Sequence, residues 1–65
     1  MKSLNDTMKG FGDTKQDLAK VLGITNSTMS WKMRGRSEFT QSEIKAIIER
    51  YDLTGDEVKY MFFGD

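Results

Sequence analysis

The sequence contains no cysteine, no histidine and no proline. Without cysteine there is no disulfide framework and no thiolate nucleophile or ligand. Without histidine the usual zinc sites and an imidazole general base are excluded. Long apolar runs are missing too. The longest is Tyr60-Met61-Phe62-Phe63, against about 20 residues for a membrane span. The first residues, Met1-Lys2-Ser3-Leu4-Asn5-Asp6, carry no apolar signal-peptide core. A cytoplasmic chain with no membrane partner is therefore expected. At 65 residues one domain spanning 1–65 is the most the chain can build, and so short a chain seldom encloses a pocket as well as a core. The expectation is a binding protein with no cofactor, no metal and no small-molecule substrate, not an enzyme.

Apolar residues make up 37% of the chain. At this size hydrophobic burial only just offsets chain entropy, so local contacts and well-capped helices must contribute. The net charge is zero, yet it is unevenly spread. Residues 14–36 carry Lys15, Lys20, Lys32, Arg34 and Arg36 against Asp17 alone, a net +4. Residues 37–65 carry Lys45, Arg50 and Lys59 against seven acids, a net −4. A basic stretch beside an acidic one makes a directional electrostatic surface.

Helix starts are legible. Ser3-x-x-Asp6, Thr14-x-x-Asp17, Thr40-x-x-Glu43 and Thr54-x-x-Glu57 have the form of a capping box, and Thr25 or Asn26 is a fifth N-cap. The acid three residues on sits at the positive end of the helix dipole. Gly10, Gly12, Gly23, Gly35 and Gly64 supply stops. The intervals predict helices over about 3–10, 14–22, 26–34, 40–51 and 54–62. Met1, Leu4, Met8 and Phe11 form an apolar stripe on the first, and Ile44, Ile47, Ile48 and Tyr51 one on the fourth. Nothing alternates with period two. The fold class is therefore a compact all-α bundle of five short helices. Its expected core is Leu18, Leu22, Ile24, Met29, Phe39, Ile44, Ile47, Ile48, Leu53, Val58 and Phe62.

The informative segment runs from Thr14 to Ser30. Two helices that cross closely over a three-residue turn need a small residue at the crossing, and Ala19 supplies it. The turn needs positive φ just past the first helix, which Gly23 adopts without a Cβ penalty. Leu18, Leu22, Ile24 and Met29 flank the turn in phase to point inward, and the second helix opens on the short polar residues Asn26, Ser27 and Thr28. This is the helix-turn-helix pattern, in which the second helix enters the DNA major groove with its N-terminal residues at base edges.

From about Thr14 to Phe63 the chain resembles the lambda-repressor-like helix-turn-helix family, the phage repressor, Cro and Xre-type regulators. Met33-Arg34-Gly35-Arg36-Ser37-Glu38-Phe39-Thr40 is similar to the turn after the recognition helix in the small phage members. Glu43-Ile44-Lys45-Ala46-Ile47-Ile48, followed by Leu53-Thr54, Glu57 and Phe62-Phe63, resembles their C-terminal half. Larger members append an oligomerisation domain, so the resemblance implies a stand-alone Cro-type transcriptional repressor of a bacterial host cell. It would bind double-stranded operator DNA as a homodimer, with helix 26–34 in the major groove. Lys15 stands where family members often carry a glutamine that meets a phosphate and braces the recognition helix.

The expected base contacts are Asn26, Ser27, Thr28 and Trp31. Trp31 is phased opposite Met29 and Met33 and suits either thymine methyls or a protein partner. The expected phosphate contacts are Thr14, Lys15 and Gln16 at a helix N-terminus, together with Lys32, Arg34 and Arg36. Four apolar residues in a row cannot all face inward on a helix, so Tyr60, Phe62 and Phe63 are the expected dimer seam. The alternative reading is a protein-interaction modulator of antirepressor type, which uses the same fold to bind a partner repressor. Zero net charge, an exposed tryptophan and Lys15 favour it.

Overall fold

The computed structural model describes residues 2–64. Met1, at the head of the first apolar stripe, and Asp65 lie outside the described residues. Each of the five helices opens on the hydroxyl side chain that its sequence offers. Ser3, Thr14, Thr25, Thr40 and Thr54 are all in extended backbone, and each accepts from the amide three residues on. They start α1 (Leu4–Phe11), α2 (Lys15–Leu22), α3 (Asn26–Met33), α4 (Gln41–Tyr51) and α5 (Gly55–Phe63). At α2, α4 and α5 the acid at the third helical position returns the bond to the cap amide, completing the box. Each such cap is worth about 1 kcal/mol, a large fraction of the stability of helices this short. No strand occurs among the described residues, and no helix among them is long and apolar enough to cross a membrane.

The first four helices end alike. An amide two residues past the helix, or three past α3, reaches back to a carbonyl in the last turn: Asp13 to Met8, Ile24 to Ala19, Arg36 to Trp31 and Leu53 to Ile48, at 2.9–3.1 Å. This closure needs a left-handed residue at the hinge. Gly23 takes it at φ 72° and Gly35 at φ 80°. At the end of α4 the same place falls to Asp52, at φ 51°. Gly10, expected as a stop, lies inside α1. Its successor Phe11 keeps the helix going because Gly12 provides the closure.

The core is centred on α2, with Leu18, Met29 and Ile47 fully buried and Leu4, Met8, Ala19 and Tyr51 around them. Leu22, Ile24, Phe39, Leu53, Met61 and Phe62 pack against this cluster only partly buried. Ile44, Ile48 and Val58, expected at the centre, are half-buried. The shift has a simple cause. α1 covers one side of the bundle with Leu4 and Met8, whereas α5 buries no residue completely and leaves the α4 face beneath it half open.

A polar tie closes the bundle. The Asp13 carboxylate, in the α1–α2 loop, accepts from Arg50 Nε and Nη2 at 2.8 and 2.7 Å and from the Tyr51 hydroxyl at 2.7 Å. The Arg50 guanidinium, then the Tyr51 hydroxyl, hold the Asp13 carboxyl down at about 2. Burial, and then the hydrogen bond to Asp13, push the Tyr51 hydroxyl up to about 12. Phe11 meets the Tyr51 ring edge-on at 4.9 Å, so its exposed ring still anchors α1 to α4.

Candidate functional site

α2 makes its most extensive helix contact with α3. The crossing works because Ala19 is buried at the junction and Met29 fills the space beside it. Between the helices lie only Gly23, Ile24 and Thr25. Gly23 turns the chain, half-buried Ile24 plugs the gap beneath it, and Thr25 caps α3. The Thr25 hydroxyl accepts from the Thr28 amide at 3.1 Å and donates to the Thr28 hydroxyl at 3.0 Å.

A further bond sets α3 against α2. The Lys15 ammonium, in the first turn of α2, donates to Ser30 Oγ in the middle of α3 at 2.5 Å. Ser30 is half-buried and was not among the expected site residues. Its phase, one position past buried Met29 on the α2 side, was the available signal. Lys15 thus braces α3.

The orientation of α3 follows from buried Met29 and half-buried Met33. At about 100° per residue, the line opposite Met29 and Met33 runs through Trp31. Ser27 lies about 40° to one side of that line and Thr28 about 60° to the other. Trp31 is 54% exposed. Asn26 and Ser27 are exposed, Thr28 is half-buried, and the side chains of Asn26 and Ser27 enter no hydrogen bond with the described residues. The exposed start of α3 is thus a row of short polar side chains beside an indole. α3 carries no acid.

Around this row stand the expected phosphate ligands. Arg34 and Arg36 are exposed on either side of Gly35. Thr14, Lys15 and Gln16 are exposed at the start of α2. There the capping box occupies the Thr14 and Asp17 amides and leaves those of Lys15 and Gln16 facing outward. The Thr14 amide, which donates to the Asp17 carboxylate in the box, and then the Thr14 hydroxyl lower the Asp17 pKa.

Lys32 requires a correction. It was expected at a phosphate, but its side chain is only 8% exposed and its ammonium is ion-paired with the Glu43 carboxylate. The same carboxylate oxygen accepts from the Thr40 amide at 2.8 Å. Burial raises the Glu43 pKa, but the Lys32 ammonium and the Thr40 amide outweigh it, and the net shift is downward. Lys32 also lies 5.8 Å from the centre of the Phe39 ring. The pair ties the end of α3 to the start of α4 and takes Lys32 away from the surface.

The expected seam divides. Tyr60 and Phe63 are exposed, Phe63 at 67%. Phe62 is half-buried and meets Phe39 edge-on at 5.5 Å, so it serves the fold first. Phe63 stands on the rim of a 420 Å³ groove floored by Leu4, Met33, Phe39, Ile44 and Phe62. No family model, curated protein or solved structure matches the chain.

Proposed function

We propose that the chain is a sequence-specific double-stranded DNA-binding repressor of the phage Cro type, with α2 and α3 as a helix-turn-helix and α3 in the major groove. The observation that carries this reading is the outer face of α3. Buried Met29 and half-buried Met33 set the helix so that Ser27 and Trp31 lie on its outer face, with Asn26 exposed at its first position. A major groove admits a helix presented in this way. Arg34 and Arg36 at one end of α3, with Lys15 and Gln16 at the start of α2, flank the row as phosphate ligands would. Lys15 and Ser30 together supply the brace that the family resemblance assigns to that position.

One copy measures 28 Å along its longest axis. Two half-sites one turn apart are separated by about 34 Å, so a full operator needs two copies. The groove rimmed by Phe63 is the proposed homodimer seam, closed on DNA. The second reading, a modulator that binds a partner repressor, is favoured by one observation, the exposed Trp31 on a chain of zero net charge. Enrichment of bound duplexes from a random pool separates the two. The repressor reading expects convergence on a two-fold-symmetric site. Failure to retain any duplex at low salt would transfer the same face to a protein partner.

A further inference from the structure

We infer that α3 is built to select A·T base pairs, with Trp31 packed on thymine methyl groups. The inference rests on the DNA-binding reading and goes further by naming the base composition that the site takes. In the major groove, guanine is read chiefly by Arg or Lys held to O6 and N7, and the cytosine amine by Asp or Glu. The expected base contacts on α3 include neither kind. Asn26, Ser27, Thr28 and Trp31 are uncharged, and no acid occurs anywhere in the helix. The one cation within α3, Lys32, is bound to Glu43 and 8% exposed. Arg34 lies just past the helix, about 12 Å along the axis from Asn26, and on the DNA-binding reading it and Arg36 serve as phosphate ligands.

What remains has A·T chemistry. Asn26 offers the paired donor and acceptor that match adenine N6 and N7. The Thr28 hydroxyl accepts from Thr25, which turns its polar end toward the cap. Trp31 offers a broad apolar face at the outermost line of the helix. The only apolar group on a base edge in the major groove is the thymine methyl. An indole placed there gains from every methyl it covers and leaves guanine and cytosine polar groups unpaired.

The test is equilibrium competition by the full chain at about 50 mM salt, where backbone contacts are strong. Four pools of duplexes about 20 base pairs long are used: fully random, A·T only, G·C only, and A·U with deoxyuridine for thymidine. Uracil and thymine present the same minor-groove atoms, so A·T against A·U isolates the methyl from groove width and minor-groove charge. The A·T pool should compete at least about tenfold better than the G·C pool. Loss of the methyls should weaken binding about fourfold for each one covered. W31A, altered at an exposed position, should still fold and bind but should no longer distinguish A·T from A·U, and W31F should keep part of the difference. A G·C pool that competes as well as the A·T pool overturns the inference while leaving DNA binding intact. So does equal binding of A·T and A·U by the unaltered chain. Retention of no pool removes the DNA-binding reading and the inference with it.

Discussion

Two left-handed residues show how far a single side chain decides this fold. Gly23 ends α2 at φ 72°, and a Cβ added there would meet nothing within 4 Å. The penalty for replacing it is therefore backbone strain alone, not a clash. Gly23→Val should destabilise the chain by about 1–3 kcal/mol, seen as a lower Tm. An unchanged Tm would mean that the α2–α3 turn tolerates another backbone. Asp52 makes the converse case. It holds φ 51° with a Cβ and places a carboxylate at the negative end of α4. Asp52→Gly should raise stability by up to about 1 kcal/mol, and a lower Tm would show that Asp52 holds a compensating contact. The chain has no glycine at that helix end, which is why this turn left little trace in the sequence.

At the scale of the element, α3 is where the proposed reading of bases is tested. If its start reads bases, Asn26→Ala or Ser27→Ala should cost about 1–3 kcal/mol on the enriched site and little on random duplex. Fluorescence anisotropy with both duplexes would show it, and equal losses would mean that these residues only hold the backbone. The five helices themselves were readable because each starts on a hydroxyl followed by a suitable third residue, and hydroxyl capping is a local matter. The buried pair Met29 and Ile47 was likewise legible from helical phase. Three features were not. Tyr51 and Leu4 enter the core because α1 folds back over α4, a long-range choice made by Asp13 and Arg50. Phe62, expected both in the core and at the seam, is settled toward Phe39 for the same kind of reason. Lys32 looked like one more cation in a basic stretch, and only the approach of α4 brings Glu43 to it. The exposed row of α3 was visible in sequence because a helix has one period, whereas the Lys15–Ser30 brace depends on how two helices cross.

At the scale of the whole molecule, the Asp13 tie makes stability depend on pH in a definite sense. Asp13 has a folded pKa near 2, against 3.8 for its ordinary value. A carboxyl with a depressed folded pKa contributes fully above its unfolded value and loses that contribution as pH falls through the folded one. The wild type should lose about 1–2 kcal/mol between pH 4 and pH 2 from this group, the partly exposed Arg50 reducing the effect. Asp13→Asn should lower Tm at pH 7 and converge with the wild type near pH 2. Parallel melting curves at every pH would contradict the tie. Assembly belongs to this scale too. Phe63→Asp should weaken cooperative occupation of a full two-fold site while leaving half-site binding intact, and unchanged cooperativity would move the seam elsewhere. The charge pattern gives the most direct test of DNA binding itself. With Lys32 paired to Glu43, the exposed cations of the basic stretch are Lys15, Lys20, Arg34 and Arg36, beside an otherwise acidic second half. The decisive measurement is the salt dependence of duplex binding by the wild type and by Arg34→Ala and Arg36→Ala. The wild type should show a log–log slope of about −0.9 for each phosphate neutralised, and each alanine should weaken all duplexes alike and make the slope shallower by about 1. A slope that neither arginine changes, or no binding even at low salt, would contradict a DNA-binding surface on α2 and α3.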